Sequence, residues 1–201
     1  MSNTEILDNT RKIFFIQPPS RNVIRFGKEV KGNSILGIKC YAYATFNALA
    51  TGNLLPEAEK FSNQTEIDSW ISNLEYALGG TPYKIIKKLK EEKICNYTIK
   101  SLYDIDASTL ARSLQEYFAI TIGVKVKTTN IKSKKTNTSN HWIYGIDRSK
   151  NSISAIDQQN SHRGVILFSF DKKNKKWLGY CQNKSKIVEI EYEITQVMVI
   201  C

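Results

Sequence analysis

Close cysteine pairs are missing from this chain. Its four cysteines, Cys40, Cys95, Cys181 and Cys201, stand far apart, without the short spacings that structural zinc sites and redox dithiols use, so free thiols and no metal are the expectation. No apolar run approaches the ~20 residues that a membrane-spanning helix needs. The first twenty residues, MSNTEILDNTRKIFFIQPPS, have no basic segment followed by a long apolar stretch and a small-residue cleavage site, so a Sec signal is not expected. Histidine is scarce too: His141 and His162 are the only candidates for histidine-based catalysis. Acidic residues number 19 against 29 basic ones, and the resulting net charge of +10 favours acidic partners. The excess is mostly lysine in polar runs such as KTTNIKSKKTNTSN (127–140) and DKKNKK (171–176). No aromatics interleave these runs as they do in nucleic-acid modules, so solvated loops are expected and nucleic acid is not.

What is present suits one core. The 201 residues, 41% of them hydrophobic, carry no internal repeat and no low-complexity linker, which predicts a single domain over 1–201. KIFFI and NVIRF, then the loop GKEVKGNSILGIK, lead to Cys40. From Cys40 to about Ala50 the residues form or tolerate helix, and Gly52 with Asn53 offers a stop. TEIDSWISNLEYALGG sets Ile67, Trp70, Ile71, Leu74 and Leu78 on one helical face, with Thr65 as cap. TPYKIIKKLKEEK follows with Pro82 in its first turn, and a shorter helix is expected over 107–118. The period then changes to alternation in AITIGVKVK (119–127), HWIYGID (141–147), SISAID (152–157), VILFSF (165–170), IVEIEYE (187–193) and TQVMVI (195–200), all read as strands. Helices first and an antiparallel sheet afterwards predict an α+β protein.

Cys40 alone is most simply a small core side chain, and Asp157 alone a strand-ending turn former. Their joint pattern with His141 says more. A turn centred on Ser149 in DRSKN pairs Gly145 with Ile153 and sets His141 opposite Asp157, on one face of a hairpin. A carboxylate there can fix one imidazole nitrogen and leave the other free as a base. At a helix N-terminus beside such a histidine, a cysteine has its thiolate favoured by peptide dipoles and imidazolium, and its own N–H is free for an oxyanion. His162, in the polar turn NSHRG, and the other three cysteines are read as incidental. Trp70, Trp142 and Trp177 are read as packing anchors, with Trp142 a possible wall beside the base.

CYAY (Cys40 to Tyr43) resembles the start of the papain central helix, and the order cysteine, histidine, acid is that of papain-like enzymes. HWIYGID followed by AIDQQ resembles the strand and the aspartate-any-glutamine motif of bacterial papain-like toxins and OspI-type glutamine deamidase effectors. The resemblance implies a papain-like α+β fold, with Cys40 as nucleophile, His141 as base then acid, and Asp157 as its orienting acid. Gln159 matches the motif's glutamine. The position six before the nucleophile, a glutamine in papain-type proteases, is Ser34 here, with Asn33 one further back. Asn33, Ser34 and Gln159 are therefore the candidate side-chain oxyanion donors. Lys39 stands where the effectors carry asparagine.

The activity implied is protein glutamine deamidation through a thioester, without a cofactor or metal. A papain-like protease or acyltransferase uses the same three groups, and a noncatalytic basic binding module is the alternative from another class. The partners expected are a protein substrate with an acidic patch and an immunity or adaptor protein. The resemblance also implies export from a bacterial cytoplasm without a Sec signal and delivery into a target or host cell cytosol.

Overall fold

A computed structural model describes residues 15, 17, 23–25, 28–30, 39–75, 79–102, 106, 110, 117, 119–149, 152–160, 163–182 and 186–201. Two short strands, β1 (Val23–Arg25) and β2 (Lys28–Val30), form a separate hairpin. Three helices follow: α1 (Cys40–Thr51), α2 (Gln64–Ser72) and α3 (Pro82–Glu91). The rest is strand: β3 (Ile99–Leu102), β4 (Ala119–Asn130), β5 (Thr136–Ser149), β6 (Ser152–Ile156), β7 (Ile166–Asp171), β8 (Lys176–Cys181) and β9 (Val188–Ile200).

The order β9-β4-β5-β6-β7-β8 is antiparallel throughout, and β8 pairs back onto β9. Six strands thus close a barrel, and β3 extends β9 at residues 197–200. This corrects the α+β, papain-like expectation: the protein is mostly β, with three short helices among the described residues. The correction has a local source. β8, KWLGYC, overlaps the lysine run read as a solvated loop, yet it buries Trp177 against Phe170 inside the barrel and closes it. Closure removes both free edges of the sheet.

Burial patterns show where the helices lie. The first half of β4 is buried at every position, Ala119 to Val124, because one face lines the barrel and the other meets α1. Past Val124 no helix covers the strand, and alternation returns with Lys125 and Lys127 outward and Val126 inward. α1 is buried from Tyr41 through Leu49, so it has no solvent stripe, and its two buried polar side chains, Thr45 and Asn47, donate to the carbonyls of Tyr41, Phe15 and Tyr43. It is wedged between the outer face of β4 and β5 and the helix α3. A Cβ at Gly80 would collide with the Tyr41 ring, so glycine lets the turn before α3 close on the residue after Cys40. α1 stops as expected, with Gly52 as C-cap and Asn53 left-handed at φ 55°.

Other expectations move. Asn63, not Thr65, caps α2, its side chain accepting from Glu66 N–H. The segments 187–193 and 195–200 are one strand, bulged at Thr195, whose hydroxyl donates to the Gly123 carbonyl. The 127–140 stretch is the end of a β-ribbon whose turn is residues 131–135, not a loop. Of the expected helix at 107–118 only Leu110 and Tyr117 are described.

Candidate active site

The hairpin register differs from the expected one. Tyr144 pairs with Ile156 and Gly145 with Ala155; beyond a bulge at Ile146, Asp147 pairs with Ser154. Next to the site the strands are offset by two residues from the expected pairing, so His141 and Asp157 are diagonal neighbours rather than opposite ones. A slip of two preserves the face. His141 Nε2 and Asp157 Oδ1 lie 2.9 Å apart, and the two side chains are 9% and 2% exposed.

β6 ends at Ile156, opposite Tyr144, so the half of β5 that carries His141 has β4 on one side and no β6 on the other. The turn 157–160 and the start of α1 occupy that side. There Gln158 Nε2 contacts the carbonyls of Cys40 (3.2 Å) and Trp142 (2.7 Å) and Gln17 Oε1 (3.0 Å), while Gln17 N–H donates to the Gln158 carbonyl. This one buried amide joins the residue that bears the thiol to the residue after the histidine.

Cys40 is the first residue of α1 and half-buried. Its sulfur acts on the His141 imidazole and favours the charged form of the ring; with Nε2 held by Asp157, Nδ1 is the nitrogen left for a thiol. The helical ladder starts behind it: Ala42 N–H and Tyr43 N–H both donate to the Lys39 carbonyl, which leaves the Cys40 N–H ahead of the ladder. Lys39 is buried and reaches away from the site. Its Nζ donates to the carbonyls of Ile71 (2.8 Å) and Leu74 (2.6 Å), satisfying the C-terminal end of α2 and tying it to the start of α1. Burial lowers the Lys39 pKa.

Electrostatics favours an ion pair. Burial works against the charged form of His141, but Asp157 and the Cys40 sulfur outweigh it and raise its pKa to about 10. Burial likewise opposes ionisation of Asp157. The neighbouring imidazole, the Asn160 side chain and the Gln159 N–H overcome it and hold the carboxyl well below its ordinary range. Asp157 Oδ1 accepts from His141 Nε2, Gln159 N–H (2.9 Å) and Asn160 N–H (3.3 Å); Oδ2 accepts from Asn160 Nδ2 (2.7 Å) and Tyr192 O–H (3.0 Å).

The structure therefore brings Cys40, His141 and Asp157 together. Asn33, Ser34 and His162 lie outside the described residues. Gln159 lends its backbone N–H to Asp157, whereas the buried amide beside Cys40 belongs to Gln158. Trp142 packs on Gly123 and the helix-side core, and its carbonyl holds Gln158. Sequence reasoning missed Gln17, Gln158, Asn160 and Tyr192. Aspartate with asparagine three residues on signals an Asx turn and points to Asn160, but no local pattern marks Gln17 or Tyr192. Compared with family models, with curated proteins and with solved structures, the chain matches none of them.

Proposed function

We propose that this chain is a cysteine-dependent amidohydrolase that deamidates a protein glutamine, in the manner of bacterial effectors and toxins. The observation that carries the reading is the His141–Asp157 pair at 2.9 Å, with the Cys40 sulfur at the start of α1 acting on the same imidazole. The likeness of HWIYGID and AIDQQ to deamidase motifs supports it.

Cys40 thiolate adds to the carboxamide carbon, and the Cys40 N–H offers one donor to the oxyanion that forms. The imidazolium of His141 gives its proton to the nitrogen as the C–N bond breaks, and ammonia leaves from a thioester. Neutral His141 then takes a proton from water, whose oxygen attacks the thioester carbon. The C–S bond breaks, the thiolate returns, and glutamate remains on the substrate. Asp157 stays ionised throughout and holds the imidazole in register. Lys132, Lys134 and Lys135, exposed at the ribbon turn, supply a basic edge for a substrate with an acidic patch. Among the described residues no helix is long and apolar enough to cross a membrane. Production in a bacterium and action in a target or host cytosol complete the proposal.

The test is mass spectrometry of a lysate treated with the protein or with Cys40→Ala. Amide-to-acid conversion at one glutamine of an intact partner, present with the wild type and absent with the variant, is the expected result. New chain termini would replace deamidation with proteolysis, and identical lysates would remove the enzymatic reading.

A further inference from the structure

Tyr192 has no exposed surface and lies inside the barrel on β9. Its phenol donates to Asp157 Oδ2 over 3.0 Å, and its oxygen accepts from the Cys181 thiol at 3.8 Å. Apart from His141, every other donor to Asp157 among the described residues comes from the aspartate's own turn, Gln159 and Asn160. Those donors travel with Asp157. They orient the carboxylate within its turn, but they do not place the turn against His141. Tyr192 is different, because its position is set by β9, which is paired with β4 on one side and β8 on the other.

We propose that Tyr192 is a positioning residue of the Cys40–His141–Asp157 site, its phenol locking Oδ2 to the barrel wall so that Oδ1 stays aimed at His141 Nε2. The inference rests on reading those three residues as catalytic. The Cys181 thiol donates to the phenol oxygen, which leaves the phenol proton for Asp157. Burial sustains this direction, since it raises the pKa of both Tyr192 and Cys181 and keeps both protonated. The titratable groups around Asp157 are His141 and Cys40 in front, Tyr144 from β5, and Tyr192 and Cys181 behind, with Arg163 acting on Cys181. None but Tyr192 joins Asp157 to β9.

Tyr192→Phe removes one hydroxyl and keeps the ring. The full chain is titrated by NMR, following His141, and Cys40 labelling by iodoacetamide is read on its own peptide at mildly acidic pH. The expected result is a His141 midpoint lowered by about one pH unit, because a carboxylate free to rotate holds the imidazolium less well, with Cys40 labelling unchanged at mildly acidic pH, where the imidazolium stays charged. A packing role alone would lower the melting temperature and leave the midpoint in place. Cys181→Ala loosens the phenol from behind and shifts the midpoint the same way by less, which keeps the test open should Tyr192→Phe not fold. An unmoved midpoint in the folded variant overturns the proposal. Asp157→Asn separates the two levels of inference. If it too leaves the midpoint at the wild-type value, the catalytic reading fails; if it moves the midpoint and Tyr192→Phe does not, only the role of Tyr192 fails.

Discussion

Asp157 and Asp171 each open a four-residue turn that ends in asparagine, DQQN in one and DKKN in the other, and the two turns are bonded alike. At Asp157 the N–H groups of the second and third residues on reach Oδ1 at 2.9 and 3.3 Å, and the asparagine amide reaches Oδ2 at 2.7 Å. At Asp171 the same three bonds measure 2.9, 3.2 and 2.7 Å. The four residues therefore build the same cradle in both places. What differs is the surroundings. Asp171 joins β7 to β8 at the rim and faces water, and its lowered pKa comes mainly from Asn174. Asp157 is buried, and two groups from distant strands, His141 and Tyr192, complete its shell. A turn becomes part of a site when the barrel brings a base to it.

The largest effect expected from this contrast is in activity. Asp157→Ala should lower glutamine turnover on the order of 10⁴-fold, and it should destabilise the fold by about 3 kcal/mol by leaving buried donors unpaired. Asp171→Ala should leave turnover unchanged. Ammonia release and urea unfolding check both, and equal losses in the two variants would break the distinction.

Next in size is a pH window whose alkaline side the exposed turn does not share. The raised pKa of His141 contributes stability in full below the unfolded value of 6.5 and loses it as pH climbs toward about 10. The lowered pKa of Asp157 contributes in full above 3.8 and loses it as pH falls further. Both are complete between 3.8 and 6.5, where the wild type should exceed Asp157→Asn in unfolding free energy by its largest margin. Urea unfolding at about pH 5.5 and about pH 9 measures that margin, and a margin as large at the higher pH would contradict the buried ion pair.

The smallest effect sharpens the comparison. Asn160→Ala removes a part-buried bond to a charged group and should cost about 1.5 kcal/mol; Asn174→Ala removes its exposed twin and should cost less. The two melting curves, compared at neutral pH, test whether burial rather than turn geometry sets the difference.

Parts of this were legible in the chain. The cysteine at a helix start could be read because α1 has its stop signal at Gly52 and Asn53. His141 and Asp157 could be paired because a polar turn separates two alternating runs. The register could not: Ser149 pairs with Ser152 instead of centring the turn, which puts the strands three residues off the expected pairing, and the bulge at Ile146, unmarked in composition, reduces the offset to two and returns His141 and Asp157 to one face. The class was misread for another reason: the lysine run that ends at Lys176 leads straight into β8 and hides the start of that strand. Gln17 and Gln158 were illegible as partners because 141 residues separate them.

By itself the sequence determined what short-range chemistry can set: the start and end of α1, the two Asx cradles, and a histidine placed on the same hairpin face as an acid. The tertiary structure alone decided that β8 would close on β9, that β6 would stop short and admit the start of α1, and that Tyr192 would stand behind Asp157. Local hydrogen bonds and dihedral preferences reach only a few residues along the chain, whereas barrel closure is a condition on all strands at once, met only when the whole sheet has folded.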